Sequence, residues 1–473
     1  MRHYYTAEQI RAAEAPLLAA LPDGALMRRA AWPLSVAIAG ELRARTGGTA
    51  GRRVCAVVGS GDNGGDALWA ATFLRRRGVI ATAVLLNPQR AHPAALAAFR
   101  RAGGRIVENI DPATDLVIDG VVGIGATGPL RAEAAAVFDA SDAPVVAVDL
   151  PSGIDVHTGT ADGPHVHAAL TVTFGGLKPA HALAECGRVQ LVDIGLDLPQ
   201  SALRSLQVPD VAEIWPVPGR TDDKYSQGVT GILAGSLTYP GAALLCTGAA
   251  VAGHSGMVRY SGTAAAQVVG HTPEVIATAE LRDAGRVEAW VVGPGLGTGA
   301  DADAALRFAL ASELPVLVDA DALTLLAAQP QLVTGRRAPT LLTPHAGEFA
   351  RLAGSPPGAD RVGAARALAD RLGVTVLLKG NVTVIADPGD DGVTYLNLAG
   401  GSWAATAGSG DVLSGLIGSL LAAGIAPALA AAAGAFVHSR AAQLAAADPG
   451  PAEVPICATR IIANIRAALA TIL

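Results

Sequence analysis

At 473 residues the chain is too long for one ordinary hydrophobic core, and length favours two or three domains. A hydrophobic content of 51% against 16% charged residues is a globular balance and excludes a disordered chain. The formal charge of −6 is modest, and no Lys/Arg block of five or more appears, so nucleic acid is not an expected partner.

The N-terminus, MRHYYTAEQIRAAEAPL, lacks the charged-then-apolar layout of a signal peptide. Residues 1–45 carry helical spacing, with Ala12, Ala13, Leu17 and Leu18 followed by Met27, Ala30 and Ala31 on one side. A strand–loop–helix pattern then begins. RVCAVVG (53–59) is a short β-rich run, followed by a Gly-rich loop and a helix-like stretch at 67–77, where Arg75, Arg76 and Arg77 read as a solvated face. VIATAVLL (79–86), DLVID (115–119) and PVVAVDL (144–150) are further buried-strand candidates. The Pro- and charge-rich stretch at 205–228 separates this series from a second. There VTGILAG (229–235), AWVVGPG (289–295), PVLVDAD (315–321), TLLTP (340–344) and VTVLLKG (374–380) are apolar runs ending in Gly, Pro or Asp. The expectation is two α/β domains, 1–210 and 211–473, each a doubly wound sheet. The uncharged segment 416–437 is long enough to span a bilayer, but its Ala/Gly content and Pro427 read as buried helices, so no membrane partner is expected. Cys55, Cys186, Cys246 and Cys457 lie far apart with no metal-ligand spacing, and a reducing cytoplasm is the simplest compartment.

In doubly wound sheets, ligands bind at the carboxyl ends of strands, so the polar loops there are the places to seek chemistry. The loop after the first strand carries Gly59, Gly61, Asp62, Asn63, Gly64, Gly65 and Asp66. Its glycines let backbone N–H groups approach an anion, but the Walker A lysine and the G-x-G-x-x-G spacing are both absent. Glycine alone would fit a plain tight turn equally well; the polar Asn63 and Asp66 favour a ligand. Asp119 opens a second Gly-rich turn, and Asp149 begins DLPSG with Ser152 behind it. Should Asn63, Asp119 and Ser152 converge, they offer oxygen ligands to a weakly held cation, leaving Asp149 free as a general base.

These residues resemble the NAD(P)H-hydrate epimerase family over roughly 5–205, with FGGLKP (174–179) and VDIGL (192–196) also fitting. The resemblance implies K⁺ held by Asn63, Asp119 and Ser152. It implies hydrate contacts from Asp62, Asn63, Gly64, Gly65 and Asp66, from Gly123, Ile124, Gly125, Ala126, Thr127, Gly128 and Pro129, and from Asp149. The chain departs from the family pattern at Asp62 (family Asn), Ala67 (family Gly) and Ile124 (family Thr).

In the second half, AGSGDVLSG (407–415) is a Gly-rich turn opening into an apolar helix with Asp411 at its start. Such a turn suits charge developing on a transferred phosphoryl group, and Asp411 is placed to take a proton from a hydroxyl; simple helix capping is the plain alternative. The turn resembles the ribokinase-like superfamily. Over roughly 222–473 the surrounding motifs resemble ADP- or ATP-dependent NAD(P)H-hydrate dehydratase: Lys224, Gly228, Tyr239 to Ala242, Gly293 to Gly297, VDADAL (318–323), TPHAGE (343–348) and LLKGNVT (377–383). The resemblance implies hydrate contacts from Ala242, Gly297, His345 and Asp411. Lys379, Gly380, Asn381, Val382, Thr383 and Gly410 would hold the adenine nucleotide, which comes with Mg²⁺. Asp319 and Asp321 are candidates to help hold Mg²⁺, with a solvated or capping role equally open. His345 and Glu348 stand three apart, but without a second His at i+4 zinc is not expected.

The function implied is repair of hydrated NADH and NADPH, one half an isomerase interconverting the R and S hydrates and the other a lyase dehydrating the S form. The fused bacterial style points to ADP, and a homo-oligomer is expected on the resemblance alone. The rival readings are a vitamin- or sugar-type kinase joined to a nucleotide-binding domain, and an N-terminal half serving as a non-catalytic module.

Overall fold

The computed structural model describes every residue except 126, 127, 255, 390 and 391. The chain forms two compact units, His3–Ser201 and Ala202–Leu473, the latter joined by Met1–Arg2.

The first unit holds a seven-stranded sheet. In chain order its strands are β1 (Arg53–Val58), β2 (Ile80–Leu85), β3 (Arg105–Val107), β4 (Leu116–Gly120), β5 (Val145–Val148), β6 (Ala168–Phe174) and β7 (Arg188–Val192). Their spatial order is β3-β2-β1-β4-β5-β6-β7, parallel throughout. The order reverses between β1 and β4, which places a ligand crevice at their carboxyl ends. Alternation along β1 shows why both faces are covered. Val54, Ala56 and Val58 join the core beneath helices Ala25–Thr46, Asp62–Arg75 and Pro93–Arg101, while Cys55 and Val57 join Val137 and Phe138 on the opposite face. The helix expected at 67–77 starts earlier, at Asp62, so Gly64 and Gly65 lie inside its first turn.

The second unit contains β8 (Leu203–Ser205), β9 (Val229–Leu233), β10 (Met257–Ser261), β11 (Ile276–Thr278), β12 (Ala289–Val292), β13 (Val316–Val318), β14 (Thr340–Leu342), β15 (Thr375–Leu378), β16 (Val382–Ala386) and β17 (Thr394–Leu398). They lie in the order β8-β17-β16-β15-β14-β13-β12-β9-β10-β11. Strands β9 to β15 pair in parallel, and β15-β16-β17 form an antiparallel meander that the sequence reading did not anticipate. Winding reverses between β9 and β12. Val291 of β12 points into a core shared with helices Pro240–Ala252, Ser409–Ala422, Pro427–Ala447 and Ala458–Ala470. Its neighbour Trp290 packs edge-on against Phe308 of helix Ala300–Leu310, so helices cover both faces here too. The apolar segment 416–437 falls in two of these core helices, and among the described residues no helix is long and apolar enough to cross a membrane.

Candidate functional sites

The first crevice is closed at its base by backbone. The Gly59 N–H donates to the Gly120 carbonyl at 3.0 Å, and a methyl on Gly59 would collide with the Val121 carbonyl, so only glycine lets the two strand exits meet. Helix Asp62–Arg75 begins there with Gly61 as its N-cap and no side-chain cap, leaving its first N–H groups facing the crevice mouth. Ala67, the departure from the family's glycine, is fully buried, and a methyl at Gly120 would come within 2.5 Å of it. Its side chain is therefore core and leaves the loop's backbone free.

Asp119 ends β4 fully buried. Its Oδ2 accepts the Ser152 N–H at 2.8 Å, and its Oδ1 accepts the Ser152 hydroxyl at 2.7 Å and the Val121 N–H at 3.1 Å. Burial raises its pKa and these hydrogen bonds oppose the rise, leaving it at about 6. Asn63 is buried, its side chain faces Gly123, and its Nδ2 has no hydrogen-bond partner. Turning that amide over would present its carbonyl oxygen instead, since the two assignments are not distinguished by shape. Asn63, Asp119 and Ser152 then supply a neutral carbonyl, a carboxylate and a hydroxyl, a donor set that fits a large monovalent cation.

Asp149 adopts φ of +67°, unusual for a residue with a side chain. It is 6% exposed and tightly held. Its Oδ1 accepts from Lys178 Nζ at 2.5 Å and from the Thr173 hydroxyl at 2.9 Å, and Lys178 Nζ also donates to Thr173 Oγ1 at 2.8 Å. Burial pushes its pKa up, but the Lys178 ammonium and the hydrogen bonds outweigh it and hold the carboxyl below its usual range. Asp66 shows the opposite setting. Its Oδ1 is buried without a partner, and burial followed by the charges of Asp149, Asp62 and Glu14 drives its pKa well up. Gly123, Ile124, Gly125, Gly128 and Pro129 lie on the loop after β4, Ile124 half-buried with its carbonyl near Arg11. Ala126 and Thr127 fall outside the described residues.

In the second unit, two strand exits and helix Ser409–Ala422 carry Asp319, Lys379, Ser414 and Asp411. Asp319, just after β13, is 1% exposed and accepts from Lys379 Nζ at 2.6 Å and from the Ser414 hydroxyl at 2.7 Å. A methyl on Gly410 would sit 3.2 Å from Lys379 Nζ, which places the ammonium against the first turn of helix Ser409–Ala422. The N-cap of that helix is Gly408, with no side-chain cap, so Asp411 is not its capping residue. Asp411 makes no side-chain hydrogen bond among the described residues. Burial, then the charge of Asp319, raises its pKa to about 7, with Lys379 opposing and Asp321 adding. His438, fully inside the unit, braces the turn from behind, its Nε2 lying 3.1 Å from the Ser409 carbonyl and 3.2 Å from its hydroxyl.

The remaining positions surround this centre. The Gly297 N–H donates to Asp321 Oδ2 at 2.8 Å, and Ala242 packs beneath Gly295. His345 caps helix Ala346–Ala353, its Nδ1 accepting the Gly347 N–H at 2.9 Å while Glu348 Oε2 accepts the His345 N–H at 2.8 Å. The pair three residues apart is thus a capping box. Lys379 N–H donates to the Pro344 carbonyl, joining the exits of β14 and β15; Gly380 and Asn381 turn into β16, which Val382 and Thr383 begin. Sequence reasoning passed over Lys178, Thr173, His181, Ser414 and His438. Lys178 lay inside the quoted FGGLKP and Ser414 inside AGSGDVLSG, but neither advertises its partner.

The second unit defines its class by fold: a ribokinase-like superfamily protein from Enterococcus faecalis matches it with TM-score 0.50 at 23% identity, over 58% of this chain and 98% of that one. A Bacillus subtilis ADP/ATP-dependent NAD(P)H-hydrate dehydratase, co-crystallised with ATP/Mg²⁺, gives TM-score 0.50 at 27% identity over 57% of this chain and 99% of its own. The family model for NAD(P)H-hydrate dehydratase matches residues 230–465, and that for the YjeF-related protein N-terminus matches 23–180. Over the full length of both chains, the sequence is 72% identical to a bifunctional NAD(P)H-hydrate repair enzyme of Mycobacterium leprae and 71% identical to that of Mycobacterium tuberculosis. The chain belongs to the family of bifunctional NAD(P)H-hydrate repair enzymes.

Proposed function

We propose that the first unit interconverts the R and S hydrates of NADH and NADPH and that the second dehydrates the S hydrate at the expense of ADP or ATP. The observation that carries this reading is the full-length match to repair enzymes together with one aspartate at a glycine-lined crevice in each unit.

A hydrate carries its hydroxyl on the carbon beside the ring nitrogen, and hydroxide is a poor leaving group. In the second unit Asp411 takes the hydroxyl proton as that oxygen attacks the terminal phosphorus, and the nucleotide loses its terminal phosphoryl group. The N–H groups at Gly410 and the Lys379 ammonium meet the charge that develops. The ring nitrogen then expels phosphate, and loss of a ring proton restores the dihydropyridine. Mg²⁺, bound with the nucleotide, would supply neutralisation of phosphate charge. Asp319 and Asp321 are already engaged by Lys379, Ser414 and Gly297, which favours an orienting part for them over a metal cage.

A stereospecific dehydratase strands the other epimer, which is the chemical reason for joining it to an epimerase. There Asp149 is the base, and the backbone of residues 62–66, 123–125, 128 and 129 receives the dinucleotide. Asn63, Asp119 and Ser152 would hold K⁺, whose charge would help seat the phosphates. Free, scattered cysteines fit a reducing cytoplasm, and assembly into a homo-oligomer is expected from the family.

The test is incubation of the purified chain with mixed epimers and ADP or ATP, following recovery of reduced-nicotinamide absorbance. Asp411→Asn should abolish dehydration and spare epimerisation, and Asp149→Ala the reverse. A kinase would instead accumulate a stable phosphorylated product, and one substitution silencing both activities in a folded chain would refute the division of labour.

A further inference from the structure

The site in the first unit contains a buried cation that the proposed chemistry leaves unused. Lys178 is 1% exposed, and burying an ammonium so completely is costly unless an anion faces it. The anion is Asp149 at 2.5 Å, and Thr173 completes a triangle by donating to the same carboxylate oxygen and accepting from Lys178. The backbone joins in. The Lys178 N–H donates to His181 Nδ1 at 2.9 Å, which fixes the ring proton on Nε2, and that proton is donated to the Asp149 carbonyl at 2.8 Å. Asp149 is therefore gripped at both its side chain and its strained backbone by residues 173–181.

We propose that Lys178 is a positioning residue of the epimerase site, holding the Asp149 carboxylate charged and fixed as the base for the stereochemical exchange. This rests on the reading of the first unit as an epimerase. Lys178 keeps its own proton throughout and acts only through the carboxylate it holds. The need for such a cation follows from the company Asp149 keeps. Glu14 from helix Ala7–Ala20 and Asp66 from helix Asp62–Arg75 turn negative or potentially negative groups toward it; Lys178 is the cation against it, and His181 is held neutral, its pKa lowered to about 4 by burial and then by Lys178. Without Lys178, burial and these carboxylates would protonate Asp149.

The experiment uses the full chain and follows interconversion of the R and S hydrates by chromatography across pH, with dehydration in the same preparation as a control on the other unit. Lys178→Met, close in length but uncharged, should lose epimerisation at least about tenfold at neutral pH and shift the acid limb of kcat/KM upward by about one to three pH units. Lys178→Arg should keep the limb near its original place, and Thr173→Val should shift it in the same direction but less. If Lys178→Met unfolds the first unit, as circular dichroism would report, Thr173→Val carries the test alone. An unshifted limb in the folded variant overturns the proposal while a wild-type chain that interconverts the epimers keeps the epimerase reading. A wild-type chain that does not interconvert them sinks that reading, and the proposal with it.

Discussion

Dehydration should titrate on Asp411. Its carboxyl is pushed to about 7 by burial first and by the Asp319 and Asp321 carboxylates after it, against the pull of Lys379. Only the ionised form can accept the hydroxyl proton. One pH unit below such a midpoint about one tenth of the groups are ionised, so kcat/KM for the S hydrate should fall about tenfold per unit on the acid side. Lys379→Met removes the ammonium that Asp319 holds against Gly410. An opposite charge at close range is worth about one to three pH units, so the midpoint should climb by that much. The assay is initial-rate recovery of reduced-nicotinamide absorbance at saturating nucleotide, from about pH 5 to about pH 9, with kcat/KM taken because it reports groups of the nucleotide-loaded enzyme before hydrate binds. A flat profile, a midpoint in the ordinary carboxylate range, or a midpoint that falls in Lys379→Met would refute the reasoning.

Two further outcomes follow from packing and charge. Gly415→Ala places a methyl on the Cys246 carbonyl, where helix Ser409–Ala422 touches helix Pro240–Ala252. The overpacking should cost about 1–3 kcal/mol, lowering the thermal inactivation midpoint of dehydration by roughly 2–10 °C while that of epimerisation stays; an unchanged dehydration midpoint would show that the helices part freely. Asp66 has a raised folded pKa, so the folded state keeps its proton longer than the unfolded state, and stability falls as pH rises above the ordinary carboxylate range. Asp66→Asn should flatten that fall in melting experiments across pH, and a variant that loses stability faster than wild type on the alkaline side would contradict the assignment.

Much of this was legible in sequence because parallel strands buried on both faces are apolar runs, and the turns that end them carry Gly, Pro or Asp. β1, β4, β5, β9, β12, β13, β14 and β15 each announce themselves this way, and the glycine-lined crevices follow from their exits. The meander β15-β16-β17 was hidden because LLKGNVT reads as a nucleotide loop, and the loop is itself the hairpin turn. His345 and Glu348 looked like possible ligands because spacing alone cannot separate metal binding from a capping box; backbone N–H positions do. Lys178 was invisible as a partner of Asp149. The two are 29 residues apart, and a lysine is ordinarily read as surface until its burial is known.

The two crevices share one architectural device yet set their aspartates oppositely, and the difference is where each lysine is spent. Lys178 binds Asp149 directly, which keeps that carboxylate an anion through the physiological range. Lys379 instead binds Asp319, and Ser414 takes the second oxygen, so among the described residues Asp411 has no salt bridge of its own and feels that lysine only against the Asp319 and Asp321 carboxylates. A permanently charged base beside a polyphosphate would repel the nucleotide it serves, whereas one poised near 7 limits that repulsion and still deprotonates a hydroxyl efficiently. On the proposed assignment, the epimerase base Asp149 faces no transferring phosphoryl group and gains from staying charged. The opposite settings are thus what the two reactions require of the same strand-exit geometry.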